Sequence, residues 1–93
     1  MKKLNRTEMM KWMTKKGLWC KTTEEFNPNS KDGIWTSGED DKEISGLPAY
    51  SYYAQSKSYE LGVLIHWEEM LNKRGWYSEW YDCGTVMIWE NNQ

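Results

Sequence analysis

Leu, Ile, Val and Phe together fill only 13 of the 93 positions, whereas Trp, Tyr and Met supply seven, six and six. Any interior built by this chain is therefore expected to draw on rings and thioethers to replace the missing aliphatics. So low an aliphatic fraction signals disorder when net charge is high, but here the net charge is only -2. A buried Trp or Tyr removes roughly 150–250 Å² from water, so the expectation is one small folded domain with an aromatic core. Ninety-three residues leave no room for two sizeable cores.

Charged residues make up 28% of the chain. No apolar run approaches the length of a membrane span or a signal-peptide core, and the expected location is cytoplasmic. Cys20 and Cys83 are too few for a disulfide framework and lack zinc-site spacing, so both read as reduced thiols.

Two helices are marked by their termini. Asn5 and Glu8 have the spacing of a capping box, and Leu4 and Met9 that of a hydrophobic staple. Lys15 and Lys16 suit the negative end of the dipole, and Gly17 suits a left-handed C′ position. These signals predict a helix over 6–16 with Met9, Met10, Trp12 and Met13 as its apolar set. A second helix is predicted over 59–74, with Ser58 as N-cap, Gly75 as C′ and a core stripe of Val63, Leu64, Trp67, Met70 and Leu71. Gly62, His66, Glu69 and Lys73 fall on its wet face.

The end of the chain reads as a β-hairpin with strands over 76–81 and 85–89. Its turn is Asp82-Cys83-Gly84, with Gly84 left-handed. Leu18 to Thr22 reads as a short strand. Glu24 to Gly46 reads as a long loop holding one strand at Ile34-Trp35-Thr36, and Ala49 to Ala54 as a helical turn. The fold class is α+β: a small antiparallel sheet covered on one face by two helices.

Catalytic signatures are missing where they are easiest to recognise. A single histidine excludes an H-E-x-x-H zinc site, and no G-x-S-x-G or S-x-x-K nucleophile motif occurs. His66 and Glu69 share a helical face, but two groups on a wet surface make a poor metal site. Gly33 to Gly38 has the glycine spacing of a phosphate loop, yet Glu39, Asp40 and Asp41 follow where a lysine is needed. The same run lacks EF-hand spacing. Glu79 and Asp82, with Glu68 and Glu69, are the carboxylates available for acid–base work, though nothing in their spacing demands it. The expectation is a non-enzymatic protein with no cofactor and no metal.

Charge is segregated along the chain. Residues 1–21 carry seven Lys/Arg and one acid, residues 22–48 two and seven, and residues 49–93 three and six. A basic helix over an acidic loop is the expected complement. Trp12, Trp67, Trp80 and Trp89 fall at core periodicities. Thirteen Trp and Tyr exceed what so small an interior hides, so several are expected at the surface. Trp35, Tyr50, Tyr52, Tyr53, Tyr77 and Tyr81, beside Glu39, Asp40, Asp41 and Glu79, form the expected acidic and aromatic binding surface.

Stacking on nucleic acid wants cations interleaved with the rings. Here the cations lie elsewhere, which disfavours nucleic acid and favours a protein partner with a basic surface. The alternative is a small-molecule or carbohydrate-binding module using the Tyr and Trp rings as a platform. The exposed edge of the terminal hairpin also offers a homodimer contact.

Gly75-Trp76-Tyr77-Ser78-Glu79-Trp80-Tyr81-Asp82-Cys83-Gly84-Thr85, with Gly46-Leu47-Pro48-Ala49-Tyr50 and Tyr52-Tyr53-Ala54, resembles stretches in small phage and prophage proteins of no assigned activity. The resemblance covers residues 46–90. It implies an accessory role such as inhibition of a host or defence protein, and it transfers no site residues.

Overall fold

A computed structural model describes residues 2–39 and 42–91. The first helix, α1 (Arg6–Lys15), starts as its terminus dictates: Asn5 Oδ1 accepts the Glu8 N–H at 2.9 Å and Glu8 Oε1 accepts the Asn5 N–H at 3.0 Å. It is one residue shorter than expected, with Lys16 as C-cap. Gly17 turns left-handed at φ +94°, and the Leu18 N–H closes the turn on the Met13 carbonyl. Met9 and Met13 are buried, while Met10 and Trp12 are half-buried.

After β1 (Cys20–Thr22) comes a short helix, α2 (Thr23–Phe26), that the loop reading missed. The Glu25 carboxylate holds the Thr22 N–H and hydroxyl at its start. Strand β2 (Ile34–Ser37) follows, then a small hairpin of β3 (Glu43–Ile44) and β4 (Leu47–Pro48), also unexpected, with Ser45 and Gly46 both at positive φ.

The second predicted helix is the largest correction. Residues 59–64 are a hairpin of β5 (Tyr59–Glu60) and β6 (Val63–Leu64), and α3 runs only from Ile65 to Lys73. Leu61 at φ +50° and Gly62 at φ +79° form the turn, a pattern that needs two left-handed residues. Tertiary contact enforces it. A Cβ at Gly62 would lie 3.0 Å from both the Ser51 carbonyl oxygen and the Tyr52 Cα, and the Ser51 N–H donates to the Gly62 carbonyl at 2.8 Å. Gly62 is therefore buried, not on a wet face. The Ser58 carbonyl accepts the Ile65 N–H instead of its side chain capping a helix.

The terminal hairpin, β7 (Trp76–Asp82) and β8 (Thr85–Glu90), completes an antiparallel sheet of order β1-β2-β8-β7. The strands exceed the expected ranges by one residue each, and the register shifts between Trp80 and Asp82. Gly84 is not left-handed; the Asp82 carboxylate accepts its N–H at 3.0 Å and makes the turn. The domain is α+β, with α1 beside β1 and α3 beside β7.

The core gathers around Trp67, which is fully buried. Its ring stacks on Trp12 of α1 at 5.1 Å and 4°, and the Arg74 guanidinium lies 4.0 Å from the Trp12 ring. Its indole N–H donates to the Tyr50 hydroxyl at 2.9 Å. Ala49 and Tyr50 are thereby drawn into the interior, where Tyr50 bridges Val63. The expected helical turn at Ala49 to Ala54 is reduced to a turn at Tyr52 and Tyr53. In place of a basic helix over an acidic loop, one ion pair among the described residues joins α1 to the acidic segment: Arg6 pairs with Glu24 of α2 at 2.7 Å, and its guanidinium also donates to the Gly33 carbonyl.

Two predictions follow from this packing. Tyr50→Phe removes the acceptor of a buried indole N–H, with an expected loss of about 1–3 kcal/mol in urea unfolding. An unchanged midpoint would contradict the role given to that bond. Glu24 accepts the Asp32 backbone N–H and the Arg6 guanidinium, which lower its pKa from 4.5 to about 2. A depressed carboxylate stabilises above its unfolded pKa. Its contribution is therefore complete above about pH 4.5 and fades as pH falls toward about 2, and Glu24→Gln should flatten the acid limb of stability against pH over that window.

Candidate functional site

The expected surface residues fall into separate places. Strand register sets Trp35 and Glu79 on either side of Met87, and Tyr77 opposite Trp89, so these side chains share the sheet face away from α1 and α3. Phe26 of α2 packs edge-on against both Trp35 and Tyr81 at 4.9 Å. Trp19, which periodicity did not single out, packs edge-on against Trp35, with Lys21 5.5 Å from its own ring. Glu79 Oε1 accepts the Trp89 indole N–H at 3.0 Å. The expected aromatic face thus exists around Trp35, Tyr77, Glu79 and Tyr81, but Phe26 covers part of it and Lys21 sits at its rim.

Tyr52 and Tyr53 lie elsewhere. They pack edge-on against each other, and Tyr52 packs edge-on against Trp80, both at 5.0 Å. Tyr53 is 80% exposed. Tyr50, expected at the surface, is buried because its hydroxyl is the acceptor for Trp67. Glu39 sits against the turn of the terminal hairpin, its carboxylate within 3 Å of where a Cβ on Gly84 would stand. Asp40 and Asp41 lie outside the described residues.

An acidic groove lies beside the sheet edge. A groove of about 580 Å³ runs between β7 and the β6–α3 segment. Glu60, Glu68 and Glu69 line it, together with Leu61, Val63, Ile65 and Trp80, and no Lys or Arg among the described residues does; Glu79 borders it, but its carboxylate turns to the Trp89 indole on the other face of the sheet. Of the described residues among the ten read from the sequence as a surface, only Glu79 borders this groove. Leu61 stands at its lip, 87% exposed and left-handed. The sequence signal for this hairpin was Gly62 between Tyr59-Glu60 and Val63-Leu64, but the helical spacing from Val63 to Leu71 masked it.

A hydrogen-bonded chain runs from the core into this groove. The Trp67 N–H can only donate, so the Tyr50 oxygen accepts from it, and the Tyr50 and Ser78 hydroxyls share a hydrogen bond at 2.7 Å. The Ser78 backbone N–H then donates to Glu68 Oε2 at 3.1 Å. Burial pushes the Tyr50 hydroxyl far above its ordinary value, so it stays protonated. Glu68 Oε1 is buried and has no hydrogen-bond partner among the described residues. Burial is the largest influence on Glu68 and raises its pKa; the Ser78 hydrogen bonds oppose the rise and the nearby Glu60 charge adds to it.

Among the described residues, no group of three or more His, Cys, Asp or Glu is placed to hold a metal ion. His66 is exposed, as expected. No helix among the described residues is long and apolar enough to cross a membrane.

The raised Glu68 pKa carries a stability consequence with a definite sign. The folded chain binds this proton more tightly than the unfolded chain, so stability falls as pH rises from the ordinary carboxylate value of 4.5 through the raised folded value. Glu68→Gln removes the buried charge and keeps an oxygen for Ser78. Its melting temperature at pH 7 should exceed that of the parent, and the difference should shrink below pH 4.5; a lower value at pH 7 would refute this account. No family model, curated protein or solved structure matches the chain, so the geometry of the groove alone carries the functional argument.

Proposed function

We propose that the protein acts without catalysis, by docking a cationic and partly apolar segment of another protein into the groove beside β7 and so occluding it. The observation that carries this reading is the lining itself: the carboxylates of Glu60, Glu68 and Glu69, no Lys or Arg among the described residues, and apolar ground between them. Carboxylates gathered beside apolar surface repel one another until a cation shares the site, and a Lys or Arg stem with its charged head suits both parts of the lining. The buried, unpartnered Glu68 Oε1 supplies an acceptor for that head. The same charges repel phosphates, which weighs against nucleic acid.

Leu61 supports the same reading from the side of stability. A left-handed leucine in a two-residue turn is disfavoured relative to Asn or Gly, and exposing it to water gains nothing for folding. Strain of this kind is kept where surroundings or function require it. The Tyr52, Tyr53 and Trp80 rings meet edge to face, so ring faces are already engaged by neighbouring edges. That arrangement suits contact with side chains better than the broad flat platform on which a sugar stacks.

The test is a titration with short Lys/Leu and Glu/Leu peptides, read by NMR at the Trp80 indole N–H. The Lys/Leu peptide should bind saturably and weaken with added salt, and the Glu/Leu peptide should not bind. Leu61→Asn should hold or raise stability by up to about 1 kcal/mol. It should also cost tenfold or more in affinity, since burying a leucine contributes about 1.5–3 kcal/mol. Equal response to both peptides would remove the proposal.

A further inference from the structure

Strand β7 is an edge of the four-stranded sheet, and its outer side opens into the groove just described. In an antiparallel ladder, alternate residues turn both backbone groups toward the partner strand and the others turn both away. Ser78 belongs to the outward set, because its N–H meets Glu68 instead of β8. Two residues on, Trp80 is outward as well, before the register shifts. By the same alternation the Ser78 carbonyl and both backbone groups of Trp80 turn away from β8 and toward the groove.

An open edge of this kind is a template for another strand, and proteins usually block such edges. Here the block is one carboxylate. Glu68 takes the Ser78 N–H as the carbonyl of a neighbouring strand would, and it is the same glutamate whose other oxygen is unpartnered. An arriving cation would draw the Glu68 carboxylate to itself and release the Ser78 N–H, so that charge recognition and backbone pairing assist each other.

We propose that the occupant of the groove is an extended Lys- or Arg-bearing peptide segment of a partner protein, added to the sheet as a fifth strand along Ser78–Trp80. This rests on the docking function proposed above and specifies its mode. In an antiparallel addition, the peptide residues opposite Ser78 and Trp80 give their backbone groups to β7. Directly opposed residues share a face, so their side chains lie on the α3 side, where Glu60, Glu68 and Glu69 wait. Cationic residues should therefore occupy every second position, and these are the positions that pair with β7. Main-chain bonds would give affinity and the alternate cations specificity.

The experiment uses the whole chain and a short synthetic peptide of alternating Lys and Val in three forms: unmodified, N-methylated on the Lys residues, and N-methylated on the Val residues. The unmodified peptide should bind and slow hydrogen exchange at the Trp80 backbone amide at least tenfold. Methylation on Lys should cost tenfold or more in affinity, and methylation on Val should leave affinity nearly intact. Equal affinity of the two methylated forms, or loss on the Val set alone, would overturn strand addition while leaving a groove that docks side chains. Failure of the unmodified peptide to bind would overturn the docking function too. A doubled solution mass with Trp80 amide protection in the absence of peptide would show that the edge pairs with a second copy of the chain, and would likewise overturn the proposal.

Discussion

The buried indole of Trp67 holds the parts of this molecule in one relation. Its face is stacked on Trp12 and its N–H is spent on Tyr50, so α1, α3 and the segment through Ala49 and Tyr50 meet at one side chain. In a chain with so few aliphatics, a ring is the natural hub, since it fills volume and presents a single directional donor. A buried donor must find an acceptor. That requirement pulls the Tyr50 hydroxyl inward, and Tyr50 in turn reaches the edge strand through Ser78.

The groove inherits its shape from this chain of obligations. With Tyr50 inside, the backbone of Ser51 and Tyr52 lies directly on Gly62, which forces the β5–β6 hairpin and sets Leu61 at its tip. Trp80 fixes the other side: its indole N–H donates to the Leu61 carbonyl at 2.7 Å, and its ring lies 2.5 Å from where a Cβ on Gly38 would stand. The hairpin, the edge strand and the start of α3 are thereby held apart around an acidic trough. A glutamate half inside it holds the Ser78 N–H with one oxygen, and its other oxygen has no hydrogen-bond partner among the described residues.

The aromatic face on the other side of the sheet illustrates how reading by periodicity succeeds and stops. Alternation along β7 puts Trp76, Ser78 and Trp80 on one side and Tyr77 and Glu79 on the other, up to the register shift after Trp80. It said nothing of Phe26, which comes from a four-residue helix and lies across Trp35 and Tyr81. Two rings that looked free therefore have a neighbour. The surplus of rings was real nonetheless: Trp19, Tyr52, Tyr53, Tyr77 and Tyr81 are exposed, whereas Trp67, Trp76 and Tyr50 are buried.

What the sequence determined by itself was local. The Asn5–Glu8 box, the Gly17 stop, the apolar faces of Met9, Met13, Trp67 and Leu71, and the terminal hairpin all depend on interactions within a few residues, and each was legible in spacing and residue type. Tertiary structure decided the rest. Residues 59–64 had a helical pattern and became a hairpin because Ser51 and Tyr52 pack on Gly62, more than nine residues away along the chain. Glu68 and Glu69 stood out only as carboxylates without a demanding spacing, and with Glu60 they became one lining because an edge strand, a hairpin and a helix converge. Spacing records which side chains share an element, but convergence between elements depends on the long-range packing around Trp67, and no local pattern encodes it.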